Sequence, residues 1–235
     1  MTEDRWLAAR FAEISGDLLS EADEETTFDS VAKRAVEMVP GCLHAGITLR
    51  KRRGRAETVA STDVLVERLD AVQYALREGP CLDAAFERGN VVVDEIATDP
   101  RWPRWSNEAR ALGIASAMAV RLHTEEETLG ALNLYSEVPN TFSGDAGDIA
   151  VIYAAHATEA MSKARLVTGL RAALESRHTI GIAQGVLAVR YDISYERAFD
   201  VLHRYSNDRN LKLRDVAEMV TRTRRLPDDD GEVTA

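Results

Sequence analysis

Between Arg165 and Arg225 the chain carries 12 lysines and arginines against 7 aspartates and glutamates, although its 235 residues have a formal net charge of −10. Within that window Arg177, Arg190, Arg204, Lys212 and Arg214 fall near the ends of helical patterns, and Tyr191 and Tyr205 each follow one of these arginines. Guanidinium and ammonium groups neutralise phosphates, and aromatic or guanidinium planes stack on unpaired bases. The set therefore suits a nucleic acid. Charge alone does not decide the matter, because small helical domains often carry surplus arginines, and both tyrosines also suit a partly buried place. The residues before Arg165 are acidic as a group, which points to two jobs along one chain.

Other chemistry finds less support. Cys81 follows Gly79 and Pro80 in a turn, and only Cys42 could resolve it in a redox cycle. Two cysteines make no disulfide framework and fit a reducing compartment. The five histidines (His44, His123, His156, His178, His203) form no cluster at zinc spacing with them. There is no P-loop and no nucleophile elbow. No apolar run approaches the roughly 20 residues that cross a bilayer. These features predict a soluble, cytoplasmic protein without membrane contact, with no metal site and no assigned cofactor.

The elements that must position the basic residues follow from hydrophobic periodicity. Trp6, Leu7, Phe11, Ile14, Leu18 and Leu19 recur at helical spacing, and a second amphipathic helix runs from Phe28 to Val39 until Pro40 and Gly41 end it. Strands are predicted at 44–49, 57–61, 90–96, 115–122 and 128–135, with helices at 65–77 and 105–112. The result is an antiparallel sheet flanked by helices, an α+β sensor-like unit. From Asp145 the pattern turns helical to about Tyr191, with a break expected near Gly169. Leu166, Leu170, Ala173, Arg177, Ile180, Gln184 and Leu187 form a seam of alternating three- and four-residue steps, which fits a short coiled coil or packing within the chain. Ser194 is expected to cap a helix from Tyr195 to Tyr205, and Asn210 one from Leu211 to about Arg224, with Phe199, Leu202, Leu213 and Val216 in the core.

Three blocks in Ser176–Val220 carry a resemblance: SRHTIGIAQGVL, then RYDISYERAFDVLHRYS, then NLKLRDVA. The segment resembles an ANTAR domain, a three-helix RNA-binding module of transcription antitermination. The resemblance implies a homodimer, formed through helices, that grips paired RNA hairpin loops and favours an antiterminator. With that expectation, the charges and stacking surfaces near the helix ends, Arg177, Arg190, Tyr191, Arg204, Tyr205, Lys212 and Arg214, are the residues expected to face RNA. Two positions depart from the family pattern: Asp192 replaces a usual glycine, and Ala188 a common methionine. The preceding part, about 28–165, resembles a GAF domain through REGPCLDA (Arg77–Ala84), VVVDEIATDPRWP (Val91–Pro103) and LGALNLYS (Leu129–Ser136). Such domains hold varied small molecules, or none, between sheet and helices. Cys81, Asp94, Trp102 and Trp105 are the pocket residues this suggests.

The chain thus reads as an N-terminal helix (1–27), a GAF-like sensory domain (28–165), an ANTAR RNA-binding domain (166–226) and a disordered acidic tail (227–235), a regulator and not an enzyme. The alternatives are a DNA-binding regulator, since three short helices also suit duplex recognition, and a redox or small-molecule enzyme using Cys81.

Overall fold

In this computed structural model, residues 3–21, 23–87 and 89–226 are described, and they fall into two compact units, Met1–Leu166 and Val167–Ala235. The side chains of Trp6 and Leu7 and the acidic tail from residue 227 lie outside the described residues.

In the first unit, helices α1 (Glu3–Ser20) and α2 (Glu24–Met38) precede strand β1 (His44–Arg50), a short 3-10 turn, and strand β2 (Ala56–Ser61). Helices α3 (Val64–Leu76) and α4 (Pro80–Phe86), strand β3 (Val91–Val93), helix α5 (Pro103–Ala111) and strands β4 (Ser116–His123) and β5 (Thr128–Ser136) complete the sheet and its cover. The five strands are antiparallel throughout, in the order β2-β1-β5-β4-β3. Helix α6 then runs unbroken from Asp145 to Tyr191. Gly169 does not interrupt it: one glycine costs about 1 kcal/mol in a helix, and Leu170, Arg171, Ala172 and Ala173 after it are good helix formers.

The alternation of strand side chains sorts the core into two faces. Ile47 and Leu49 of β1, Val120 and Leu122 of β4, and Leu132 and Leu134 of β5 join Val31, Ala35, Tyr153 and Met161 in one core with α1, α2 and the first part of α6. Tyr153 anchors that side by donating to the Val31 carbonyl at 2.7 Å. On the other face Ala117 and Tyr135 pack with Trp102, Trp105 and Leu69, while Ala119 and Ala131 pack with Cys81 and Ala84. Helix α2 starts four residues earlier than the periodicity predicts because Asp23 accepts the Thr26 N–H at 2.9 Å and caps it. The Gly-Pro-Cys turn is instead the first turn of α4, with proline at its start, where its missing N–H costs nothing.

The second unit holds the end of α6, α7 (Tyr195–Asp208) and α8 (Leu213–Thr223) around Ala183, Leu187, Ala198, Leu202, Val216, Ala217 and Val220. Asp192 ends α6 at φ +50°, the left-handed conformation that a short polar side chain tolerates. Ser194 caps α7 by accepting the Arg197 N–H at 3.2 Å. Gly185 leaves room for the Tyr195 hydroxyl, which a Cβ would meet at 3.2 Å. Two expectations are corrected. Asn210 does not cap α8: it sits left-handed at φ +51° in the turn, and Lys212 occupies the cap position without a side-chain bond. Phe199 is not core: it is 38% exposed and stacks on His203 at 6.0 Å, because its place one residue past Ala198 turns it about 100° off the buried line.

Candidate nucleic-acid interface and sensory site

The basic residues of the second unit divide by what surrounds them. Arg177, Arg204 and Lys212 are exposed, and none of the three makes an ion pair among the described residues. Arg190 lies over the Tyr191 ring at 5.8 Å, and Arg214 is bound to Glu218 at 2.8 Å across one helical turn. Tyr191 and Tyr205 are half-buried against the three-helix core. Arg204 and Tyr205 share a depression of about 210 Å³ with Arg197, Asp200 and Asp208. Arg197 is absent from the residues that the spacing and the family resemblance point to; its signal is the seven-residue step to Arg204, which returns to the same helix face. Arg177 and Arg190 do not share a face: thirteen residues along α6 separate them by about 20 Å and about 140°. The geometry therefore joins Arg197, Arg204 and Tyr205, places Lys212 across the following turn, and leaves Arg177 and Arg190 on separate faces of α6.

The four pocket residues suggested for the first unit stand in different surroundings. Trp102 and Trp105 are buried edge to face, 6.2 Å apart, and the Trp102 indole donates to Asp83 at 3.1 Å. Asp94 is exposed and accepts from Ser143 at 2.8 Å. Cys81 belongs to another cluster, which no local spacing singles out. Its centre is Asp70 of α3, buried completely against the sheet.

Donors from several elements converge on the Asp70 carboxylate. Oδ2 accepts from Thr58 of β2 at 2.8 Å, and Oδ1 accepts from Tyr135 and Asn133 of β5 at 3.1 and 3.2 Å and from Gln73 of α3 at 3.3 Å. Thr48 of β1 touches Tyr74 at 2.9 Å, and Tyr74 touches Thr58 at 2.8 Å. The Cys81 thiol donates to Thr48 at 3.1 Å, and its backbone N–H donates to Gln73 Oε1 at 2.9 Å. Gly79 makes the last contact feasible: it holds φ +144°, and a Cβ there would fall 2.2 Å from the Gln73 oxygen. Burial pushes the Asp70 carboxyl up to about 6, against the hydrogen bonds from Thr58, Tyr135, Thr48 and Asn133 that favour its ionised form. Burial, then the Asp70 charge, raises the Cys81 thiol well above its ordinary value. A thiol so held is a poor nucleophile at neutral pH. Burial raises Cys42 to about 12, and it lies in the other core, with α1 and α2.

Among the described residues no group of three or more His, Cys, Asp or Glu could hold a metal ion, and no helix is long and apolar enough to cross a membrane.

A helix-covered antiparallel sheet with a buried polar cluster on one face is thus followed by a basic three-helix unit. A GAF domain model matches residues 21–162 and an ANTAR domain model residues 168–220; the chain belongs to the GAF family and carries an ANTAR domain after it. Among solved structures, the GAF domain of an Acinetobacter phosphoenolpyruvate-protein phosphotransferase is 17% identical with a TM-score of 0.56, covering 71% of this chain and 98% of its own. A domain of a Sinorhizobium meliloti 1021 two-component sensor histidine kinase protein is 18% identical with a TM-score of 0.53, covering 63% and 96%. The free methionine-R-sulfoxide reductase of Neisseria meningitidis is 16% identical with a TM-score of 0.52, covering 71% and 94%. These three share the fold. No curated protein matches the chain.

Proposed function

We propose that this protein is a cytoplasmic, signal-responsive regulator that binds hairpin loops in nascent transcripts and promotes antitermination, its RNA-binding unit (166–226) gated by the sensory unit (28–165). One observation carries the reading: the ANTAR match coincides with a basic three-helix unit that leaves Arg204 and Lys212 without ion pairs among the described residues, on either side of the α7–α8 turn. Unpaired cations can neutralise phosphates without first breaking a bond to a neighbouring acid. Arg197 and Arg204 would meet the RNA backbone, with Tyr205 at the edge of a splayed base. Arg214, already bound to Glu218, contributes less, and Arg177, Arg190 and Tyr191 would meet RNA from another side.

The acting form is a homodimer. Leu166, Leu170 and Leu174 follow one another at four-residue steps on α6 and are 64%, 56% and 66% exposed, an apolar stripe that suits a second copy of the same helix. The sensory unit takes its signal on the α3–α4 face of the sheet, where Cys81 and Asp70 lie. The experiment is binding of a two-hairpin RNA by the full chain at several salt concentrations, with duplex DNA as competitor. Arg204→Ala and Lys212→Ala each weaken binding at every sequence tested and lower the salt slope by about one. Preference for duplex DNA, or unchanged binding in both variants, refutes the assignment.

A further inference from the structure

The Asp70 cluster has a direction built into it. An ionised carboxylate only accepts hydrogen bonds. Thr58 must therefore give its hydroxyl hydrogen to Asp70 Oδ2, 2.8 Å away. Having given it, Thr58 can only accept from Tyr74 at 2.8 Å; Tyr74 then accepts from Thr48 at 2.9 Å, the nearer of two acceptors for the Thr48 hydrogen, since Asp70 Oδ2 lies 3.4 Å from it. Thr48 in turn accepts from the Cys81 thiol at 3.1 Å and from the Asn133 amide at 3.0 Å. One charge on α3 thus orients four hydroxyl and thiol hydrogens in a row that ends on α4.

The charge at the head of this row has no cation to hold it among the described residues. The titratable groups facing Asp70 are Tyr74 on its own helix, Tyr135 on β5 and Cys81 on α4, all neutral and all raised by burial and by the Asp70 charge. Strands β1 and β2 contribute Thr48 and Thr58, which do not titrate, and no lysine, arginine or histidine bonds to the carboxylate among the described residues. Asp83 adds a further negative charge felt at Cys81. Thr58 and Tyr74 are only half-buried and line an open groove of about 620 Å³ beside the edge strand, and Tyr74 also lines one of about 600 Å³ beside α4.

We infer that the Asp70 cluster is a proton-binding site, and that uptake of one proton from water through Thr58 and Tyr74 reverses the hydrogen-bond row as far as Cys81 of α4. The balance is simple: hydronium gives a proton to the carboxylate and leaves water, and no other covalent bond changes overall. Neutral Asp70 then donates to Thr58, Thr58 to Tyr74, Tyr74 to Thr48, and Thr48 to the Cys81 sulfur. The carboxyl already sits near 6, so small changes in pH below neutrality populate both forms. The inference concerns the sensory unit alone and stands or falls without the RNA reading.

The test is infrared spectroscopy of the full chain from pH 8 to pH 4. A protonated-carboxyl band with a midpoint near 6 is expected, absent in Asp70→Asn. The Cys81 S–H band, identified by its loss in Cys81→Ala, shifts with the same midpoint, while that of Cys42 stays still. Thr58→Val, a change at a half-buried position on the edge strand, removes a hydrogen bond to the charged form. It raises the proton affinity of Asp70 about tenfold and disconnects the Cys81 band from the titration. A carboxyl band that rises only in the ordinary carboxylate range, an S–H band that does not move with it, or a band that still follows in Thr58→Val overturns the inference.

Discussion

Replacing Asp70 by asparagine keeps the size of the buried side chain and removes its ionisation, so the effect on stability must depend on pH. The folded state raises the carboxyl from 3.8 to about 6. It therefore favours the neutral form, and the stability this group contributes is complete below 3.8 and is lost as pH rises through about 6. A tenfold difference in proton affinity between the folded and unfolded states corresponds to about 1.4 kcal/mol. Two-state titration then predicts that the wild-type protein gains about 1.4 kcal/mol relative to Asp70→Asn between pH 8 and pH 5. The offset between the two proteins at a single pH is less informative. Asparagine loses acceptor sites for donors such as Thr58 and Tyr135, at about 1 kcal/mol per bond. That loss cancels when the same pair of proteins is compared at two pH values. Urea unfolding of the full chain, followed by tryptophan fluorescence, gives the measurement. All three tryptophans, Trp6, Trp102 and Trp105, belong to the first unit, so the signal reports the unit that holds Asp70. A stability difference that stays constant from pH 8 to pH 5 refutes the account of Asp70 as a buried, uncompensated carboxylate.

Three further outcomes are expected. Leu202→Ala empties a fully buried position between α7 and its neighbours and should destabilise the three-helix unit by about 2–5 kcal/mol, measured by loss of helical circular dichroism on heating. Leu170→Glu places a charge in the exposed stripe of α6 and should turn a dimer into a monomer in sedimentation without loss of helix content; an unchanged mass shows that the stripe is not the interface. Ala173→Pro removes a helical hydrogen bond in α6, at about 3 kcal/mol, and should abolish the response of RNA binding to the sensory signal while each unit still unfolds cooperatively. A retained response rules out a rigid-helix relay.

Short-range periodicity and capping are written in the chain itself. LGALNLYS alternates between two faces of β5, and the alternation is enough to separate Leu132 and Leu134 from Asn133 and Tyr135. The three ANTAR blocks and the Ser194 cap were likewise legible, because each depends on neighbours within a few residues. The Asp70 cluster, by contrast, exists only once the chain has packed. Asp70 falls in phase with Val66, Leu69 and Gln73 on the buried side of α3, where a carboxylate is anomalous until its partners are known. Those partners come from Thr48 and Thr58, 22 and 12 residues earlier, and from Asn133 and Tyr135, 63 and 65 residues later. The same holds for the basic residues of the second unit. Their number and spacing can be read along the chain, but whether each ends beside an acid, over an aromatic ring or exposed to solvent depends on how three helices pack, since an ion pair or a stacked ring is a fact about distance in space and not along the sequence.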